Sequence, residues 1–308
     1  MKNLLYMSKC GYGGWKSNTI HLNLKYNYPI YKITKRDEKN QRDFGYGCKY
    51  LNCSIEKIIT IPDLLITAID KTYYKYLDQI PTNTHIIIHD PTEVRGKSKL
   101  KLRENLKRFK IITIRKQVQE YLLKTFNLES TFKYHPFYEY KKQPKLDTKL
   151  SASISRIDYD KNIDILVKAN DKLREDKKIK IYGSPNDLYV YHSLKETNFK
   201  QYYMGRFKKT FEALDDILHN KKYVVDMSTI KNDGGGSQYT FLEAIYQDCI
   251  LIINKKWLTK STALIPNVNC LVAENEDDIC KILESDTNYT KILKKSKRLL
   301  YNHLNVKW

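Results

Sequence analysis

Short apolar runs that recur between longer helix-spaced stretches constrain this chain more than any other feature. The clearest is residues 85–89 (HIIIH), apolar on consecutive positions through its centre. A strand wetted on one face would alternate instead, so this run is expected to lie buried on both faces of a parallel sheet. Similar runs occur at 3–8, 28–34, 64–68, 110–114, 150–154, 179–182, 199–204, 223–227 and 249–253. Helical spacing fills the intervals: 14 to about 25, 71–79, 95–110, 116–126, 164–173, 210–219, 238–247, 276–284 and from about 288 onward. Strands alternating with helices indicate βαβ units and an α/β fold with parallel sheets. Residues 35–53 are polar and charged and are expected to form a loop.

A chain of 308 residues is long for one core, and domains of about 150 residues are the default. The polar, basic stretch 138–149 (YEYKKQPKLDTK), with Pro144, reads as a linker. The expected division is 1–143, 144–287, and a basic C-terminal helix at 288–308 that packs back on the first domain. Ligands of such sheets bind outside the carboxyl ends of the strands, so a cleft between the two domains is the expected active site.

Lys and Arg number 55 against 35 acids, a formal charge of +20. Such a field favours polyanionic partners. An AT-rich genome, such as that of a phage or large DNA virus, also produces a Lys-, Asn-, Ile- and Tyr-rich chain by codon bias, and both readings stand. The six cysteines (10, 48, 53, 249, 270, 280) form no C-x-x-C pair and have no histidine at ligand spacing. Reduced, mostly buried thiols, no metal site and a cytoplasmic location are therefore expected. The start, MKNLLYMSKCGYGG, is too short in its apolar part for a signal peptide, and no run of residues is long enough for a transmembrane span.

Four constellations carry chemistry. Residues 232–244 (NDGGGSQYTFLEA) follow a strand and open a helix. Glycines let backbone N–H groups approach a ligand, and a helix start capped by Ser237 offers N–H groups to an anion. The residues so presented are Asp233, Gly234, Gly235, Gly236, Ser237, Gln238, Tyr239 and Thr240, with Glu243 further along to meet a hydroxyl. A flexible loop and a solvated glutamate are the bland alternative. Arg156 and Lys161 follow the first strand of the second domain, where a guanidinium fork and a point charge can neutralise a diphosphate. Gly13 and Gly14 follow the first strand, without dinucleotide or P-loop spacing. His89 and Asp90 stand at a strand's carboxyl end, placed to bond a sugar hydroxyl and to orient an acceptor hydroxyl.

As a set, these residues resemble the retaining GT-B glycosyltransferases of the broad family 4 type. An R-x-x-x-x-K pair near the start of the second domain looks like Arg156 and Lys161, and a glycine-rich loop leading to LEA looks like GGGSQYTFLEA. HDPTEVRGKSKLKLRENL, SRIDYDKNIDIL and YTFLEA also resemble stretches of the T-even phage enzymes that α-glucosylate hydroxymethylcytosine in DNA. The resemblance implies two Rossmann-like domains facing a cleft, the first on the acceptor side and the second binding the nucleotide sugar. It implies a hexose donor such as UDP-glucose, retention of configuration, Arg156 and Lys161 on the leaving diphosphate, His89 and Asp90 in catalysis, and no required cofactor. The family pairs two glutamates with seven residues between them; Glu243 matches the second, on the ribose, while the first falls at Gly235. The sugar must then be held differently, by the loop's backbone N–H groups or by Asp233.

For the acceptor, the basic segments 95–110 (Arg95, Lys97, Lys99, Arg103) and 291–298, with Lys141, Lys142 and Lys145, suit DNA phosphates. A base inside a duplex must also be flipped out. Three readings remain open at this stage: a DNA-modifying glycosyltransferase, one acting on a glycan or protein with peripheral membrane contact allowed, and a non-catalytic nucleic-acid-binding protein on the same scaffold.

Overall fold

The computed structural model describes residues 1–9, 11, 13–230, 235–258, 263–285 and 287–308. They form two compact units, Met1–Glu139 with His303–Trp308, and Tyr140–Lys231 with Gly235–Asn302.

The first unit runs β1 (Asn3–Met7), α1 (Gly14–Tyr26), β2 (Ile30–Ile33), β3 (Arg42–Gly45), β4 (Cys48–Cys53), α2 (Ile55–Ile58) and β5 (Leu64–Ile69). A 3-10 helix (Lys71–Gln79), β6 (His85–Ile88), α3 (Leu100–Leu106), β7 (Lys110–Thr113), α4 (Lys116–Phe126) and β8 (Thr131–Phe132) follow. The sheet order is β3-β4-β2-β1-β5-β6-β7-β8. All neighbours are parallel except β3 and β4. Every residue of β1 and β5 is buried, as consecutive apolar residues require when both faces are covered. Leu5, Ile66, Ile86, Leu102, Val118 and Leu122 share one core, each side chain contributing about 1.5–3 kcal/mol by burial. α1 and α4 each stop at an asparagine in the left-handed region, Asn27 and Asn127.

Residues 35–53 are not a loop: they contain the antiparallel hairpin β3–β4. Its two-residue turn, Tyr46-Gly47, has positive φ at both positions (56° and 78°), the twist that joins antiparallel strands tightly. Phe44 is buried edge-on against Tyr6 at 5.1 Å, while Arg42 and Asn52 bond Glu38. Of the charges that made the segment look loop-like, Arg42 and Asp43 are exposed on β3, the edge strand, and Lys49 on β4 beside it.

The second unit comprises β9 (Ser151–Ser153), α5 (Ile163–Lys172), β10 (Ile179–Tyr182), α6 (Asp187–Tyr189), α7 (Phe199–Tyr202), β11 (Tyr203–Gly205), α8 (Phe211–Leu218) and β12 (Tyr223–Asp226). α9 (Tyr239–Tyr246), β13 (Ile250–Asn254), β14 (Leu271–Ala273), α10 (Glu276–Glu284) and α11 (Thr290–Leu304) complete it, α11 carrying the chain back into the first unit at His303. The strand order is β11-β10-β9-β12-β13-β14, parallel throughout. The expected strand over 199–204 is instead a helical turn followed by a three-residue strand. Phe199 and Tyr202, three apart, both enter the core from that turn, and aromatic content had mimicked strand preference.

The stretch 138–149 has no regular structure, yet much of it is fastened to the second unit. Lys145 Nζ donates to Leu218 O (3.1 Å) and Gln247 O (2.8 Å), and Thr148 Oγ1 to Asn220 O (2.6 Å). The C-terminal residues bind the first unit: Trp308 Nε1 donates to Tyr134 O (3.1 Å), and Tyr28 OH to Trp308 O (2.9 Å). Lys25 Nζ meets Phe137 O (3.1 Å) and His303 O (3.4 Å). Among the described cysteines all thiols are free and four are buried.

In each sheet the strand order reverses once. The reversal lies between β1 and β5 in the first unit and between β9 and β12 in the second. Loops that diverge at such a point leave room for a ligand at the strands' carboxyl ends.

Candidate functional site

At the reversal point of the second unit, β9 leads into Ser155, Arg156 and a 3-10 turn over Tyr159–Lys161 that Asp158 caps. Arg156 bonds Asp158 (2.8 Å) and Asp160 (3.4 Å), yet its side chain remains 50% exposed and available to a solvent-borne anion. Lys161 is the opposite case, a buried ammonium that donates to Ser228 Oγ (2.7 Å) and Gln238 Oε1 (3.0 Å), with Asp160 at 3.8 Å. Ser228 sits just past β12 and in turn bonds Asp226, its N–H at 2.9 Å. Thr240, at the start of α9, reaches the other oxygen of Asp226 at 3.2 Å. A buried ammonium is tolerated only where such partners replace its water.

One glycine is indispensable to this corner. Gly183, at the end of β10, has φ +152°, and a Cβ there would lie 2.0 Å from Ser155 O. The chain passes so close because Ile157 N bonds Ser184 O (3.0 Å) and Asn186 N bonds Ile157 O (2.8 Å). Asn186 Nδ2 also donates to Asp158 (2.9 Å), so the loop after β10 fixes the turn that bears Arg156.

Asp233 and Gly234 lie outside the described residues. Gly235 and Gly236 both have positive φ, and Trp257 Nε1 donates to Gly236 O at 2.8 Å. Ser237 does not cap α9: Gln238 holds the cap position and makes no side-chain cap bond, because its amide oxygen faces Lys161. Tyr239 and Thr240 form the first turn of α9. Glu243 is buried and accepts a 2.6 Å bond from Tyr140 OH. Tyr140 stacks on Phe211 at 4.3 Å, and burial together with Glu243 drives its phenol pKa upward.

In the first unit, Gly13 precedes α1 and Gly14 is its first residue. His89, just past β6, is buried; its Nε2 lies 2.8 Å from Thr67 O, and burial lowers its pKa to about 4. Asp90 caps the next turn through Thr92 N at 2.9 Å. Glu93 closes that turn, buried, and its Oε1 accepts from Trp15 Nε1 (2.7 Å) and His89 N (3.2 Å). Burial, then the Asp90 charge, hold the Glu93 carboxyl well above the usual carboxylate range.

The basic segment behaves unevenly. Lys97 is exposed, Arg95 lies over the Tyr121 ring and Lys99 over Tyr74. Arg103 turns inward, donating to Val94 O and Gly96 O at 2.7 Å each, so it shapes the loop instead of offering a phosphate contact. Lys142, paired with Asp248 (2.7 Å), and Lys145 are likewise spent on the protein itself. In the 291–298 run, Lys297 pairs with Asp248 at 2.5 Å, while Lys291, Lys294 and Lys295 are exposed.

The structure thus joins Arg156, Lys161 and Gln238 in one corner, and the Gly13–Gly14 turn and His89–Asp90 in another. Sequence reasoning missed Asp226 and Ser228 around the first, Trp15 and Glu93 in the second, and Tyr140 beside Glu243. An acid closing the strand YVVD, and another four residues after His89, were the available signals. Among the described residues no group of three His, Cys, Asp or Glu is placed to hold a metal ion, and no helix is long and apolar enough to cross a membrane.

No protein-family model and no curated protein matches this chain. Solved structures do. HepE from Anabaena, in complex with UDP and glucose, superposes with a TM-score of 0.69 at 13% identity, over 99% of this chain and 96% of that one. An alpha-glucosyltransferase in complex with UDP and a 13-mer DNA containing a central A:G mismatch gives 0.69 at 14%, over 99% and 96%. TarM from S. aureus, in a mutant form with UDP bound, gives 0.59 at 18% over 76% of this chain and 51% of that one. Identities this low speak to the fold, and the fold is GT-B: two Rossmann-like units, each a predominantly parallel sheet with helices.

Proposed function

We propose that this chain is a retaining glycosyltransferase that moves a hexose from a nucleotide-diphosphate sugar, UDP-glucose foremost, to an acceptor hydroxyl. The observation that carries this reading is Lys161, a buried ammonium fixed at the reversal point of the second sheet beside the half-exposed Arg156. Structures of the same fold that hold UDP support it. In the reaction the bond from the anomeric carbon to the β-phosphate oxygen breaks, and the new bond forms from that carbon to the acceptor oxygen. The acceptor proton passes to the departing phosphate. Arg156 and Lys161 stabilise the charge that develops there. Gln238, the Gly235–Gly236 backbone and Glu243 hold the rest of the donor, and His89 and Asp90 meet sugar and acceptor hydroxyls. Cations of the chain carry the diphosphate charge, so a chelator is expected to leave turnover unchanged.

We further propose a hydroxymethylated base in DNA as acceptor, with Arg95, Lys97 and Lys99 on the phosphates. The basic surface and a DNA-bound structure of the same fold support this. The test is incubation with nucleotide sugars and hydroxymethylated DNA, then mass analysis of the nucleosides. Hexose on the modified base is expected. No hydrolysis and no thermal shift with any nucleotide sugar would sink the transferase reading; sugar placed only on glycan or protein would sink the DNA acceptor. Arg156→Ala should slow turnover about 100-fold, and Glu243→Ala should weaken nucleotide binding about tenfold.

A further inference from the structure

We propose that Glu93 is a positioning residue: its carboxyl group ties the first turn of α1 to the end of β6, so that the Gly13–Gly14 turn and the His89–Asp90 pair meet an acceptor as one rigid surface. This rests on the transferase reading of the chain.

The tie is made where the backbone supplies none. The cap position of α1 is Gly13, which has no side chain to satisfy the helix's first N–H groups or to fix its entry. The helix is anchored one step later, by Trp15 Nε1 on Glu93 Oε1 at 2.7 Å, a contact between residues 78 apart in sequence. The same oxygen takes His89 N at 3.2 Å, so one atom joins α1 to the strand end. A second rung lies one helical turn on. Thr19 Oγ1 bonds Thr67 Oγ1 at 2.7 Å, and Thr67 O meets His89 Nε2 at 2.8 Å. The tryptophan and histidine rings lie 6.3 Å apart. Both rungs end on His89, one on its backbone and one on its ring. At 5% exposure Glu93 has little contact with solvent, and a buried carboxyl that receives two N–H groups from separate elements is costly to place unless position is what it provides.

The groups around it give the proposal a distinctive signature. Asp90 lies on the same turn, His89 ends β6, and Tyr74, pushed up to about 12, faces it from the 71–79 helix. Arg115, at the end of β7, acts on His89. Burial and the Asp90 charge raise the Glu93 carboxyl while the Trp15 and His89 N–H groups act to lower it; the net shift is upward, so stability from it is lost as pH rises through the folded-state value.

The experiment compares wild type with Glu93→Gln, Glu93→Ala and Trp15→Phe in the full chain. Acceptor turnover, donor KM and the pH dependence of tryptophan emission are followed. Glutamine keeps an oxygen for both N–H groups, so Glu93→Gln should keep turnover within about threefold, while Glu93→Ala and Trp15→Phe should lose about tenfold or more with donor KM unchanged. The wild-type emission should show a pH transition from the Glu93 carboxyl that is absent from both Glu93→Gln and Trp15→Phe. If Glu93→Ala does not fold, the other two variants decide. Unchanged turnover in Glu93→Ala or Trp15→Phe with donor binding intact overturns the positioning role, as does a wild-type titration that matches Glu93→Gln. Failure of the wild type to bind any nucleotide sugar overturns the transferase reading instead, and the emission arm still tests the tie.

Discussion

The second unit gathers buried charge where its strand order reverses, whereas the first buries a histidine and a carboxyl at the end of β6, each shifted toward its neutral form. Lys161 reaches Asp226 through Ser228, an ammonium and a carboxylate joined by a hydroxyl inside the fold. His89 and Glu93 lie equally deep, yet burial lowers the one to about 4 and raises the other well above its usual range. The difference is one of neighbours. Lys161 has an opposite charge within its hydrogen-bond chain, while Glu93 has only the like charge of Asp90 and neutral N–H donors. On the proposed reading, a site that meets a diphosphate benefits from charge already stripped of water.

The sharpest way to break this contrast is Lys161→Ala. It leaves Asp226 buried with its charge uncompensated, and should cost about 3 kcal/mol of stability in urea unfolding and lower turnover about 100-fold or more. A variant as stable as wild type would mean that Lys161 is not electrically coupled to Asp226. Acid titration comes next. A histidine lowered from 6.5 to about 4 is stabilising above the unfolded-state value and loses that contribution as pH falls between the two. For His89 this amounts to about 3 kcal/mol. His303, also lowered to about 4, and His135, lowered well below its ordinary value by burial, belong to the same unit. Unfolding between pH 6.5 and 4 is therefore expected to begin in the first unit, read by amide exchange, and to be less steep in His89→Gln. Gly183→Ala follows at about 2 kcal/mol, from strained backbone and a clash with Ser155 O. Its distinguishing feature is that turnover should fall while the first unit's exchange pattern does not change.

How much of this was legible beforehand differs by kind of feature. Most strands made of consecutive apolar residues, such as β5 and β6, were visible because full burial leaves a one-dimensional trace, whereas the three-residue β14 was not. The hairpin β3–β4 was not, since its pairing is decided by β2 and β4 lying side by side and by a turn at Tyr46-Gly47. Arg156 and Lys161 stood out as cations after a strand, but that one is exposed and the other buried depends on Ser228 and Gln238, 67 and 77 residues away from Lys161. Glu93 and Tyr140 looked like ordinary residues in a charged turn and a polar linker. Their roles are set by Trp15 and Glu243, and no local pattern encodes such a pairing.

The smallest effect separates anchoring from ligand reading within the second unit. Tyr140→Phe keeps the ring on Phe211 and removes only the hydroxyl that donates to Glu243 at 2.6 Å. The carboxylate loses a donor inside the fold, at a cost of about 1.5 kcal/mol. If Glu243 also binds the donor's ribose, its orientation slackens and donor KM should rise about threefold with kcat held. Glu243→Gln, which keeps shape and an acceptor oxygen for the tyrosine, should then shift KM more than stability. Should Tyr140→Phe lower stability and leave donor KM untouched, Glu243 would be a core residue of the second unit, and the charge presented to the donor would reduce to Arg156 and Lys161.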